Sequence, residues 1–146
     1  MSGKRNRQAG HNWERKCISF LSPIFPHLVT ARAESRNADN LKLDLIYPAD
    51  KYNELPINIQ CKTMSKRVNY VKLLESMPED KPNVILHRYT EKSEKGRFME
   101  KGKYAIVDLD FMVYLLEQVY KQEKVKKEDK NGIRIERKDE TGTSGN

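Results

Sequence analysis

Long hydrophobic runs are missing from this sequence. No stretch approaches the ~20 apolar residues needed to span a bilayer. The opening carries Lys4, Arg5 and Arg7 and lacks the apolar segment of a secretory signal. An intracellular, soluble protein with no membrane partner is expected. Cysteine is scarce too: neither Cys17 nor Cys61 has a second Cys or a His at zinc-ligand spacing. A zinc site is therefore not expected, and both thiols read as small buried hydrophobes in a reducing compartment. Apolar residues are few, 37% against 34% charged. The surplus polarity gathers at the two ends, so the middle of the 146 residues can still form one domain with a modest core. What is in surplus is positive charge. A net +7 and a pI near 9.4 suit a polyanionic partner, most simply nucleic acid, with plain solubility as the alternative.

The most informative stretch is Leu41 to Tyr47, a polar turn, then Ile57 to Lys62. Both runs alternate apolar and polar residues, the period of half-buried strands. Leu41, Leu43, Leu45 and Tyr47 would share one face and Lys42, Asp44 and Ile46 the other; Ile57, Ile59 and Cys61 would oppose Asn58, Gln60 and Lys62. Pro48 and Pro56 bound the intervening turn. An antiparallel hairpin with Tyr47 opposite Ile57 sets Asp44 opposite Gln60, with β-carbons roughly 5 Å apart. A carboxylate, an amide oxygen and the Lys62 ammonium then gather on one face.

Around this hairpin, Ala9–Leu21 has the spacing of a helix, with Trp13, Cys17, Phe20 and Leu21 as its apolar stripe and Glu14 at the edge. Residues 1–8 read as a basic arm. His27–Ala33 is a short strand, followed by a polar loop. Thr63 or Ser65 caps a helix to about Met77, with Lys66, Arg67 and Lys72 on its flank. Asn83–Tyr89 is a strand covered on both faces, with His87 a satisfied histidine at its end. Thr90–Lys103 reads as a charged loop and Tyr104–Leu109 as the last strand. Asp108 or Asp110 caps a helix carrying Phe111, Leu115, Gln118 and Val119. Residues 121–146 form a charged tail, with a hairpin around Gly132 as one option and disorder from Lys138. The organisation is an arm (1–8), a domain (9–120) and a tail, the domain being an α/β sandwich with a mixed central sheet flanked by helices.

A strand with Asp44, then a strand with Gln60, one residue, and Lys62, resembles the core of the PD-(D/E)XK nuclease superfamily. Gly10-His11-Asn12-Trp13-Glu14 is similar to the first-helix opening of its Holliday-junction-resolvase-like members. The resemblance covers about Gly10 to Gln118 and implies a restriction-endonuclease-like fold and a Mg²⁺-dependent DNA endonuclease, with Mn²⁺ as a substitute. It implies that Asp44, Gln60, Glu14 and the Cys61 carbonyl serve as metal ligands. Lys62 would orient water or offset phosphate charge. It also implies that Arg32, Ser35 and Arg36 face DNA, joined by Lys4, Arg5, Arg7, Lys66 and Arg67. Branched DNA, a homodimer making two symmetric cuts and the cytoplasm of a bacterial or phage-infected cell follow from the same likeness. Gln60 departs from the usual acid, removing one negative charge. Two alternatives stay open: a non-catalytic nucleic-acid-binding protein on the same fold, or an unrelated basic α/β component of a larger assembly.

Overall fold

The computed structural model describes residues 2–34, 42–65 and 67–131. The chain divides into two compact units, Met1–Val107 and Asp108–Asn146. The first holds a five-stranded mixed sheet in chain order: β1 (Val29–Thr30), β2 (Leu45–Ile46), β3 (Asn58–Met64), β4 (Asn83–Lys92) and β5 (Phe98–Ile106). Neighbours run antiparallel except β3 and β4, which are parallel. Helix α1 (Ser2–Leu21) precedes the sheet, and a single helical turn, α2 (Ala31–Glu34), follows β1. A 3-10 segment, Ala49–Glu54, fills the turn between β2 and β3, and α3 (Tyr70–Glu75) makes the crossover from β3 to β4.

Two apolar layers cover the sheet. On one face Trp13 and Cys17 of α1 pack with Leu45, Tyr47, Ile59 and Cys61. On the other, Leu73 and Leu74 of α3 and Met77 pack with Leu43, Ile46 and Ile85. The strand alternation therefore delivers its side chains as expected for Leu45, Tyr47, Ile57, Ile59 and Cys61. Leu43 departs from it by joining Ile46 on the opposite face. Lys42 explains the reversal: at φ 65° it lies in the left-handed region, so the chain is turning there and regular β structure starts only at Leu45. Leu41 lies outside the described residues.

Further elements differ from the pattern in the sequence. The helix expected from Thr63 or Ser65 starts at Tyr70 under an Asn69 cap, because β3 runs on to Met64. Helix α1 begins at Ser2, so Lys4, Arg5 and Arg7 sit on its opening turns instead of on an extended arm. The short strand expected across His27–Ala33 stops at Thr30, where α2 takes over. The charged Thr90–Lys103 segment is a β-hairpin rather than a loop. Glu100 is its charge centre: Arg88 reaches it across the strands at 2.8 Å, and Lys103 of the same strand lies 2.8 Å from its other oxygen. Gly96, at φ 82°, makes its turn, where the left-handed backbone favours glycine. Gly102 stands beside the register shift at Tyr89/Thr90, and a β-carbon there would collide with the Tyr104 ring. Polarity concealed this ribbon because little of it needs burial.

The second unit is built on α4 (Leu109–Asn131). Asp108 caps it as expected, its Oδ1 accepting the Phe111 N–H at 2.8 Å. The helix continues through Lys130 and Asn131, residues whose composition also suits a turn. The Gly132 hairpin and the tail from Lys138 lie outside the described residues.

At the start of β3, Asn58 is buried and its Nδ2 donates to Asp80 Oδ1 at 3.1 Å and Asn83 Oδ1 at 2.9 Å. These bonds tie β3 to the loop that closes the crossover. Asn58→Ala removes these bonds, whose acceptors solvent can reach at Asp80 and in part at Asn83, and should cost about 1 kcal/mol. Urea denaturation checks this, the midpoint falling while the slope stays unchanged.

Candidate active site

The one bridge of the predicted hairpin, Leu45 with Ile59, has the expected register. Asp44 lies just before β2, and its own bonds run to the residues on either side of Gln60. Asp44 is held at every polar group of its backbone. Its N–H donates to the Ile59 carbonyl at 2.9 Å, and its carbonyl accepts from Ala31 N–H at 2.8 Å. Its Oδ2 accepts from the Cys61 N–H at 2.7 Å. Asp44 thus grips the two residues flanking Gln60, which anchors a carboxylate where β2 begins. Oδ1 has no hydrogen-bond partner among the described residues.

Burial raises the Asp44 carboxyl from 3.8 to about 6. The Cys61 N–H pulls it down, the Glu14 charge pushes it up, and Lys62 and Arg32 pull it down by smaller amounts. Burial wins because one hydrogen bond and two cations at a distance do not replace the lost hydration. Gln60 is 5% exposed, and its Oε1 is the buried side-chain oxygen or nitrogen without a hydrogen-bond partner among the described residues. An orphaned amide oxygen alongside an under-compensated carboxylate is costly for folding, on the order of 1–3 kcal/mol for the amide alone. Such an arrangement suits a cation or a donor from outside the protein.

Glu14 reaches this region from α1, on the turn after Trp13, whose Nε1 donates to the Leu86 carbonyl at 2.9 Å and fixes the helix on the sheet. Glu14 is buried and paired with Arg32 of α2. Arg32 is therefore ion-paired within the protein, while its side chain remains exposed. Lys62 is half-buried on β3, beside its register partner His87. His87 is buried, with Nε2 3.3 Å from the Met64 carbonyl and Nδ1 3.4 Å from the Tyr70 hydroxyl. The carbonyl can only accept, so Nε2 carries the hydrogen and Nδ1 accepts from Tyr70. His87 is satisfied, as expected.

Both thiols are buried as expected. The Cys61 thiol is pushed well above its usual range, first by its hydrogen bond to Cys17, then by burial and by the charges of Cys17, Asp44 and Glu14. It remains a thiol and supplies the site with backbone alone. Arg67 is exposed, as are Lys4, Arg5 and Arg7 along α1. Ser35, Arg36 and Lys66 lie outside the described residues.

The structure thus brings together Glu14, Asp44, Gln60, Cys61 and Lys62 and adds Arg32 to them. The Glu14–Arg32 pair spans 18 positions of chain, and opposite charge alone could not have singled it out. No group of three or more His, Cys, Asp or Glu placed to hold a metal occurs among the described residues. No helix among them is long and apolar enough to cross a membrane. No protein-family model, curated protein or solved structure matches the chain.

The raised carboxyl has a pH consequence. A native-state value above the unfolded one means that the folded protein binds the proton more tightly, so stability falls as pH rises from about 4 to about 6. Above pH 6 the penalty is fully present, on the order of 3 kcal/mol for a shift of this size. Asp44→Asn keeps an acceptor for Cys61 and has no charge to bury. It should be more stable than wild type at pH 7.5, with the gap closing below pH 4. Denaturant unfolding of both proteins across this range is the check, and a gap independent of pH would overturn the assignment.

Proposed function

We propose that the protein is a metal-dependent DNA endonuclease on a restriction-endonuclease-like fold, acting on branched or structured DNA in the manner of a junction resolvase. The carrying observation is the buried, unpartnered Gln60 Oε1 alongside the under-compensated Asp44 carboxylate. The mixed five-stranded sheet, with Asp44 at the entry to β2 and Lys62 on the adjoining β3, supports it, and so does the +7 charge. A homodimer in the bacterial cytoplasm belongs to the same reading.

These residues fit a hard divalent cation, held weakly. Asp44 supplies one charge and Gln60 a neutral oxygen, with the Cys61 carbonyl as a further donor. Bound there, Mg²⁺ or Mn²⁺ would stabilise charge on the phosphate and lower the pKa of water. Asp44 is the charged anchor, kept in place by the Cys61 N–H. Lys62 offsets negative charge on the substrate phosphate or orients the attacking water. Glu14 holds Arg32 against the site and contributes a ligand oxygen only where that ion pair opens or a water intervenes.

One observation favours a second reading, a nucleic-acid-binding protein that does not cut. Glu14 is already neutralised by Arg32, which leaves a single uncompensated acid beside a neutral Gln60. Labelled four-way junction, duplex and single-stranded DNA, incubated with Mg²⁺, Mn²⁺ or chelator, separates the two. Cleavage should require metal, and Asp44→Ala and Lys62→Ala should abolish it while remaining folded by circular dichroism. Either variant cutting at the wild-type rate sinks the site assignment. Salt-sensitive binding without cleavage selects the second reading.

Gln60→Glu probes the metal directly. The added carboxylate beside Asp44 should lower the melting temperature in chelator through like-charge repulsion. It should then give a larger rise than wild type on adding Mg²⁺, because a ligand bound only by the native state stabilises it. Equal metal-induced shifts in both proteins would remove Gln60 from the ligand set.

A further inference from the structure

Lys62 faces two places at once. Its charge acts on Asp44, and its side chain also lines a cavity of about 320 Å³ between the end of β3 and α3. Arg67 and Lys72 are the other cations lining this cavity, Val68 and Leu73 contribute apolar surface, and no carboxylate is among the described lining residues. No described lining carboxylate offsets Arg67 and Lys72, and the acid on which Lys62 acts, Asp44, is not part of the lining. Local bonds hold the walls: Asn69 Oδ1 accepts the Lys72 N–H at 3.0 Å, and Ser76 Oγ donates to the Leu73 carbonyl at 2.7 Å. The α3 backbone that carries Lys72 is therefore fixed before any ligand arrives. Arg67 and Lys72 remain exposed, so they can meet a chain too large to enter a closed pocket.

We propose that this cavity is a docking subsite for a backbone phosphodiester of a nucleic-acid strand, next to the phosphate that would meet the cation site of Asp44 and Gln60. The inference rests on the nucleic-acid reading above and extends it, since it fixes the path of the strand. One strand runs from the Asp44–Gln60 pair across Lys62 to Arg67 and Lys72, with Lys62 shared between consecutive phosphates. The contacts are to phosphate and carry no sequence preference.

The test is fluorescence anisotropy of fluorescein-labelled junction, duplex and single-stranded DNA with the full chain, across a salt series in chelator so that no cleavage occurs. Removing one cation that touches phosphate flattens the dependence of log affinity on log salt by about one unit. The double variant Arg67→Gln/Lys72→Gln should therefore weaken binding and flatten the slope by about two units. Val68→Glu, which places a carboxylate in the cavity and removes no cation, should also weaken binding. Lys121→Gln/Lys124→Gln on α4 is the equal-charge control and should leave the slope nearly unchanged. A slope change in the cavity variant no larger than in the control overturns the proposal, as does unchanged binding by Val68→Glu in a folded protein. Inorganic phosphate that competes with DNA for the wild type as well as sodium sulfate at equal ionic strength, and no better, is compatible only with a site for the polymer; selective competition by phosphate at low concentration would point to a free anion and overturn it. Flattened slopes without metal-dependent cutting would uphold the subsite while the nuclease reading fails. Absence of DNA binding by the wild type would defeat both.

Discussion

Everything near the site depends on keeping a carboxylate inside the sheet. Asp44 stands where the chain turns out of Lys42, and its backbone and side chain together make bonds to Ile59, Cys61 and Ala31. Without those bonds β2 would have little to define it, since only Leu45 and Ile46 continue the ladder. The same carboxylate resists the burial it helps to organise, and its proton affinity rises accordingly. Local architecture and local cost come from one residue. Such a combination is characteristic of positions where function, rather than stability, sets the side chain.

The neighbours of Asp44 divide into those that compensate it and those that do not. Lys62 and Arg32 lower its affinity for the proton, and Glu14 raises it. Arg32 does double duty by neutralising Glu14. That pairing offsets part of the repulsion between the two acids, which still raises the proton affinity of Asp44. It also means that an external cation would compete with a guanidinium already in place. The orphaned Gln60 oxygen faces no such competition, because a neutral amide attracts no internal partner strongly enough to rearrange the strand.

Packing on the two faces of the sheet makes these positions rigid. Trp13 anchors α1 through Leu86 on β4, and Cys17 meets Cys61 across the same face. Asn58 and His87 each consume their polar atoms in bonds that join β3 and β4 to the segments around α3. Between those fixed points lie Gln60 and Lys62. The polar residues with structural partners thus bracket Gln60, whose amide oxygen has none among the described residues.

The hairpin was legible in the sequence because a period of two leaves a clear signature when one face is apolar. Its register followed from Tyr47 and Ile57 lying at equal distances from a proline-bounded turn, and Leu45 does pair with Ile59. The helical stripe of Trp13 and Cys17 and the Asp108 cap were legible for the same reason, being local patterns. Leu43 broke the pattern because a positive φ at Lys42 has no signature in a lysine. The charged β4–β5 ribbon was hidden because most of it stays exposed, with Glu100 bonded to Arg88 across the strands, and polar alternation looks like a loop. For the site, the sequence determined which groups are present: a strand carboxylate, an amide and an ammonium at fixed spacing. Only the tertiary structure decided that Arg32 would neutralise Glu14, that Gln60 would be left without a partner, and that Lys62 would also line a basic cavity with Arg67 and Lys72. Spacing along a chain sets which side chains share an element, whereas charge compensation depends on distances between elements that are far apart in sequence.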